Sequence, residues 1–309
     1  MASKVQSFTT RQHMIKPSYE IFHYRDSYLN EVALHHHDLY EMYLFLSGNV
    51  DYIIESRRYH VTPGDILLIS PNELHQPMFG AEHSPYERIV LWVDKNYLQQ
   101  YTAIGTELSR CFDRAAMYHT NLVRTDPANL ELLKSLLEYA QQESESREFG
   151  SALAADTLLI QALVTLNRMA ERGGQSAEIR DKSGTVVGQV LSHIDEHFHE
   201  DLSLDLLANR FFISKYHLSR EFNRLVGTSV YRYIIQKRLV MAKQMLGQGI
   251  PSSEVYQHCG FGDYSNFYRA FKSEYGISPK EYVANLKATA ALAEASAREL
   301  SRLKWSSAE

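Results

Sequence analysis

The chain has 309 residues, 44% of them hydrophobic and 22% charged, with a formal net charge of −5. Those proportions exclude a disordered chain, which is poor in apolar residues and extreme in charge, and the length predicts about two domains of roughly 100–200 residues each. No apolar run approaches the roughly 20 residues of a membrane helix and no hydrophobic stretch follows the first lysine, so the sequence reads as cytoplasmic with no membrane partner.

From Ile21 to about Val93 the runs MYLFL, DYIIE and DILLIS are rich in Tyr, Ile, Leu and Val, and Gly48, Pro63-Gly64 and Pro71-Asn72 punctuate them. Many short strands at this spacing predict a β-barrel or sandwich over residues 1–126. Within it His35-His36-His37-Asp38-Leu39-Tyr40-Glu41 is the densest chemical passage, and His75 follows later. On an alternating strand His36 would face away from its two neighbours. Arg25, Tyr43, His60 and Trp92 are further polar and aromatic candidates for an inward face that binds a small molecule.

From Pro127 the period becomes helical. Leu130, Leu133 and Leu137, then Leu153, Ile160, Leu163 and Val164, recur at three- and four-residue steps and predict two helices over residues 127–172. Their apolar stripes serve either to cover the barrel or to form a homodimer, and the dimer is the expectation. The polar run GGQSAEIRDKSGT at residues 173–185 reads as a linker. Residues 186–286 read as helices with short breaks, and the Ala-rich stretch 287–309 as one more helix or a frayed end. Cys111 and Cys259 form no Cys-x-x-Cys pair and read as packing residues.

Net charge is unevenly divided. Between Leu206 and Lys280 eleven basic residues face four acids, which is +7 there and leaves −12 elsewhere. That asymmetry fits a module that meets phosphates. In the same region Ser203 opens a short helix ending near Arg210, Phe211-Phe212-Ile213 makes a turn, and Ser214 caps a second helix. On that helix Leu218, Phe222 and Leu225 share one face, while Tyr216, Ser219, Arg220 and Asn223 share the other. The plan repeats with a short helix from Ser252, the turn Gly260-Phe261-Gly262 and Asp263 as cap. Here Phe267 and Phe271 point inward, and Ser265, Asn266 and Arg269 outward. A buried stripe opposite a polar, basic stripe is what a helix reading base edges in the major groove requires. The helix carrying Arg238, Ala242 and Leu246 joins the two units.

Residues Val186 to about Ala284, above all CGFGDYSNFYRAFKSEYGISPKEY at Cys259–Tyr282, resemble the DNA-binding domain of the AraC-type (arabinose-operon regulator) family. The resemblance implies a bipartite domain of seven helices that reads an operator in double-stranded DNA. Tyr216, Ser219, Arg220, Ser265, Asn266 and Arg269 become base-reading candidates, with Lys215, His217 and Arg224 as phosphate candidates. Tyr256, where the family has a small Ala, and Val283, where it commonly has Arg, depart from the pattern.

The histidine passage with Glu41, then Pro63-Gly64-Asp65 and His75, resembles the two cupin motifs. That implies a small barrel in which His35, His37, Glu41 and His75 converge as candidate effector contacts. As a metal site these four would suit zinc, nickel, iron or manganese, although regulation requires no cofactor.

The expected architecture is α+β: a cupin-like barrel with flanking helices, then an all-α domain with two helix-turn-helix units. The expected function is a ligand-responsive transcription regulator, more an activator than a repressor. Its effector would be a sugar or sugar derivative, and RNA polymerase would be a partner of the activator. The rival readings are a metal-dependent cupin oxygenase or isomerase fused to a DNA-binding tail, and a constitutive DNA-binding protein whose barrel only dimerises.

Overall fold

The computed structural model describes residues 5–6, 13–27, 29, 31–80, 84–102, 105–124, 126–172, 186–288 and 291. The expected linker at 173–185 and most of the tail lie outside these residues. The chain divides into two compact units, Met1–Gln189 and Val190–Glu309.

Among the described residues of the first unit nine strands form two sheets. The larger holds β1 (Val5–Gln6), β2 (Tyr19–Asp26), β8 (Tyr86–Val93), β3 (Tyr40–Ser47), β6 (Ile66–Ile69) and β9 (Leu122–Val123), in that spatial order. The smaller holds β5 (Arg57–His60), β4 (Val50–Ile54) and β7 (His75–Phe79). Apart from the parallel β1–β2 pair the ladders are antiparallel. Strand side chains alternate between faces, and the sequence of the larger sheet uses both. Met42 and Leu44, Ile66 and Leu68, and Ile89, Leu91 and Val93 form one core with helices. The intervening Tyr43 and Phe45, Leu67 and Ile69, and Val90 and Trp92 form a second core with Tyr52 and Ile54 of the smaller sheet. The interior of the barrel is this second core.

Four helices close the outer face: α1 (Lys95–Gln99), α2 (Arg110–Tyr118), α3 (Pro127–Glu145) and α4 (Ser151–Arg172). Asp126 caps α3 by accepting from the N–H groups of Ala128 and Asn129, and Pro127 begins the helix without a donor to leave unpaired. Leu133 and Leu137 of α3, with Leu163 of α4, are fully buried against the sheet, and Leu130 and Val164 pack at the edge. Each fully buried aliphatic side chain contributes about 1.5–3 kcal/mol by leaving water. Most of the apolar stripe therefore covers the sheet, while Leu153, which the sequence placed on it, is exposed. Leu132, Tyr139 and Leu153 are the large apolar residues of these two helices that stay exposed.

The second unit is helical: α5 (Val186–His197), α6 (Leu204–Arg210), α7 (Lys215–Val226), α8 (Val230–Gly247), α9 (Ser252–His258) and α10 (Tyr264–Tyr275), followed by helical residues 279–288. Four of these starts follow one rule. The side chains of Ser203, Ser214, Ser229 and Asp263 accept from the N–H three residues on, each cap contributing about 1 kcal/mol. Gly227 and Gly276 end α7 and α10 in the left-handed region that favours glycine.

Residues 198–200 tie the unit together. Arg238 of α8 is buried, and it donates from Nε to Phe198 O and from Nη2 to Glu200 O, both at 2.7 Å. Gly260, at φ +80°, lies so close that a Cβ there would stand 2.6 Å from His199 O. One short backbone stretch thus contacts both the joining helix and the turn of the second helix-turn-helix unit.

Candidate functional site

A cavity of about 180 Å3 opens among the inward faces of the barrel. It is lined by Tyr24 of β2, Glu41 and Tyr43 of β3, Tyr52 of β4, Pro77 of β7, and Tyr86, Arg88, Val90 and Trp92 of β8, with Glu31, Val32, Ala33 and His35 from the segment before β3. The register explains the grouping. Tyr43 pairs with Val90 and Glu41 with Trp92 across the β3–β8 ladder, so these side chains emerge on one face.

The polar groups of the cavity are held firmly. Arg88, 2% exposed, forms an ion pair with Asp26, and its guanidinium lies 4.2 Å from the Tyr86 ring centroid and 4.8 Å from that of Tyr24. The hydroxyls of Tyr43 and Tyr86 share a hydrogen bond. Burial pushes the phenols of Tyr43 and Tyr52 well above their ordinary range and that of Tyr86 to about 12. All three therefore present neutral hydroxyls that can donate and accept.

Behind this wall His37 Nε2 lies 2.9 Å and His75 Nε2 4.0 Å from Glu41 Oε2, and Trp92 Nε1 donates to that oxygen at 2.6 Å. A backbone bridge, His35 N to His75 O at 3.2 Å and His75 N to His35 O at 2.9 Å, brings the two distant segments together. Burial works to raise the Glu41 carboxyl, but the hydrogen bond and charge of His37 outweigh it and hold the group below the usual carboxylate range. Burial, reinforced by neighbouring imidazoles, lowers His75 well below the ordinary histidine value and lowers His35 as well.

Of the eight effector candidates, His35, Glu41, Tyr43 and Trp92 line the cavity, and His37 and His75 stand just behind it. Arg25 and His60 do not. Arg25 is largely exposed, 3.9 Å from Glu87, and His60 is exposed with its Nδ1 2.7 Å from Asp51. Each is one residue beyond an inward tyrosine, Tyr24 or Tyr59, and one step along a strand exchanges faces. His36 also departs from expectation: it is buried, because residues 31–39 form an irregular segment with a single bridge at His35 and do not alternate as a strand. Tyr24, Tyr52, Tyr86 and Arg88 escaped the sequence reading, although counting back by twos from Trp92 reaches Val90, Arg88 and Tyr86. His37, Glu41 and His75 bring their ligand atoms within 4.8 Å of one another. The nitrogens of His35 fall outside that group, and its ring lies 4.3 Å from that of His75.

In the second unit all nine DNA candidates are exposed. Lys215, Tyr216, His217, Ser219, Arg220 and Arg224 lie on α7, and Ser265, Asn266 and Arg269 on α10, while Leu218, Phe222, Leu225, Phe267 and Phe271 are buried as expected. Not every basic residue of the region faces outward: Arg238 is a buried strut, and Lys237 pairs with Asp195 at 3.1 Å. The unusual Tyr256 is accommodated edge-on against Tyr264, centroids 5.8 Å apart, and Val283 packs on the core of the second helix-turn-helix unit.

The family described as AraC-like ligand binding domain matches residues 18–163, and that described as Helix-turn-helix domain matches residues 207–285. The chain belongs to the AraC family of DNA-binding transcription regulators. The first match spans every residue of the cavity, and the second spans both α7 and α10 of this AraC-family chain. Two relatives carry the description HTH-type transcriptional activator RhaS. That of Salmonella schwarzengrund (strain CVM19633) is 23% identical and that of Escherichia coli O157:H7 (strain EC4115 / EHEC) 22%, each over 248 residues that cover 80% of this chain and 86% of theirs. Among solved structures, the DNA-binding domain of AdpA in complex with a target DNA is 28% identical with a TM-score of 0.32, covering 33% of this chain and 94% of that one. Among the described residues no helix is long and apolar enough to cross a membrane.

Proposed function

We propose that this AraC-family chain is a ligand-responsive transcription activator whose barrel cavity takes a small polyhydroxylated molecule, a sugar or sugar derivative. The cavity carries the reading. Five aromatic side chains, Tyr24, Tyr43, Tyr52, Tyr86 and Trp92, offer apolar ring faces, and Arg88, Glu41, His35 and the tyrosine hydroxyls offer converging donors and acceptors. Ring faces suit the C–H surface of a sugar, and fixed polar groups suit its hydroxyls. Arg88 is already neutralised by Asp26, which favours a neutral ligand over an anionic one.

The activating sense takes support from the RhaS relatives. In this reading α7 and α10 enter successive major grooves of the operator. Effector binding shifts the population of arrangements of two such domains in a homodimer. The exposed Leu132, Tyr139 and Leu153 are the residues of α3 and α4 left for that dimer, and RNA polymerase is the partner of the DNA-bound form in the cytoplasm.

A thermal-shift panel of neutral and acidic sugars on the full chain tests the proposal. A cognate sugar is expected to raise the melting temperature by mass action, by about 2.7 kcal/mol of stability at one hundred times its Kd. Tyr43→Phe should weaken that response. A flat response to every sugar, with reporter transcription equally indifferent, would return the barrel to a purely structural role.

A further inference from the structure

Near the start of the second unit the run HIDEHFHED, residues 193–201, holds three histidines and four carboxylates and no Lys or Arg. It adjoins the basic region that begins at Leu206. Arg238 binds backbone carbonyls of this stretch and Lys237 binds Asp195, so the imidazoles serve neither contact.

His193 and His197 stand four residues apart on α5, which puts both imidazoles on one side of the helix, with ring centroids 4.3 Å apart. Val190, Leu191 and Ile194 anchor α5 in the core, and the two histidines lie half-buried at its margin. The chain then turns back at once. Glu200 N donates to His197 O at 2.9 Å, and the turn returns the Glu200 carboxylate to the end of the helix. His197 Nδ1 donates to Glu200 Oε1 at 2.8 Å, and His199 Nε2 lies 3.9 Å from the same oxygen. Glu196 Oε2 is 3.8 Å from His197 Nε2. The positive charge of Arg210 also reaches His193, and Glu200 and Glu196 oppose it.

One carboxylate needs one imidazole to make a hydrogen bond. Here a second ring packs on the first and a third approaches the same oxygen, in surroundings rich in negative charge. Two histidines one helical turn apart are the means by which a helix offers two nitrogens to a single ion, and a carboxylate completes such sets.

We propose that His193, His197 and Glu200 hold a divalent transition-metal cation at the end of α5, with His199 in reach as a fourth ligand. Imidazoles with one carboxylate favour zinc, nickel, cobalt or copper(II) over calcium and magnesium. The ion takes the place of the hydrogen shared by His197 and Glu200. Ligands at about 2.0–2.2 Å from a tetrahedral ion stand about 3.3 Å apart, so that pair opens by about 0.5 Å. Glu200 and His199 are more than half exposed and turn toward the ion without repacking the core. A bound ion ties the Glu200 side chain to α5 while Arg238 holds the carbonyl of the same residue. Phe211, which ends α6, lies 5.8 Å from the His193 ring, so occupancy stiffens the frame of the first helix-turn-helix. The inference is independent of what the barrel binds.

The test uses the full-length protein, carrying no added histidine tag and stripped with a chelator, with nickel(II) or zinc alone as the probe. Each imidazole is carbethoxylated with diethyl pyrocarbonate, with and without micromolar ion, and read peptide by peptide by mass spectrometry. The expected result is at least fivefold slower modification of His193 and His197, while the exposed His60 and His217 react at unchanged rates. An ion held elsewhere, in the barrel or in solution, leaves the His193 and His197 rates unaltered. Glu200→Gln and His193→Gln should each raise the ion concentration that protects His197 at least tenfold. Absence of protection overturns the proposal, as does equal protection of His60 and His217 or protection of His197 that survives both substitutions undiminished.

Discussion

The two candidate reading helices, α7 and α10, differ in how their polar faces are held. On α7 the cations beside the reader are engaged: Arg224 binds Glu221 at 2.6 Å, and Lys215 pairs with Asp205 of α6. Arg220, 68% exposed, approaches an acid only at 4.0 Å. On α10 the candidate readers hold one another. Arg269 Nη2 donates to Asn266 Oδ1 at 2.6 Å, and Asn266 Nδ2 donates to Asp263. A side chain that must break a bond to reach a base gains only the difference between two bonds, whereas a loose one exchanges water for the base edge. The first helix-turn-helix is therefore expected to carry the larger share of specificity, and the second to act more as a rigid register.

The sharpest way to break this contrast is a pair of truncations. Arg220→Ala is expected to cost roughly 1–3 kcal/mol on a DNA site selected from random duplexes and to relax preference at the contacted base pair. Arg269→Ala should fall at the lower end, about 1 kcal/mol. Equal losses in a binding titration would erase the distinction between the units, and the reverse order would invert it. A smaller effect comes from Glu221→Gln, which removes an acid from the DNA-facing helix and frees Arg224. Binding should tighten at low salt, and the plot of log K against log salt should steepen by about one ion. An unchanged slope would mean that Arg224 never meets phosphate.

Acidification supplies the smallest test. Partial burial first, then the charges of Arg210 and His197, lower the His193 pKa, against the opposing pull of Glu200 and Glu196. The unfolded chain therefore binds this proton more readily than the folded one. Stability that His193 contributes is present above about pH 6.5 and is lost as pH falls below that unfolded value. His193→Gln should flatten the slope of stability between about pH 7.5 and 5.5 in denaturant titrations. Because Arg210 belongs to the first helix-turn-helix, a steeper slope in the variant would uncouple that motif from the effect.

The legibility of these features in the sequence follows from the range of the interactions that create them. Ser214 and Asp263 cap their helices through an N–H three residues away, and Leu218, Phe222 and Leu225 meet on one helical face. Such relations lie within a dozen letters, so the buried and exposed faces of α7 and α10 could be written out from the sequence. In the barrel, strand parity decides everything, and one residue of slip turned Tyr24 into Arg25 and Tyr59 into His60. Arg88 stayed hidden for another reason: a buried guanidinium is expected only when its carboxylate is known, and Asp26 lies 62 residues away. The meeting of His35 with His75 likewise rests on one backbone bridge between segments that nothing local connects.

The contacts made by residues 198–200 have a consequence for the DNA. Arg238 grips the carbonyls of Phe198 and Glu200 while Gly260 leaves no room beside His199, so packed backbone joins the segment just before α6 to α8 and to the turn of the second helix-turn-helix unit. One inserted base pair displaces the second contact by about 3.4 Å and turns it by about 34° around the duplex, more than side chains on a fixed frame can follow. An operator with one base pair added between the two contacts is therefore expected to lose affinity in a binding titration, whereas changed letters there should cost little.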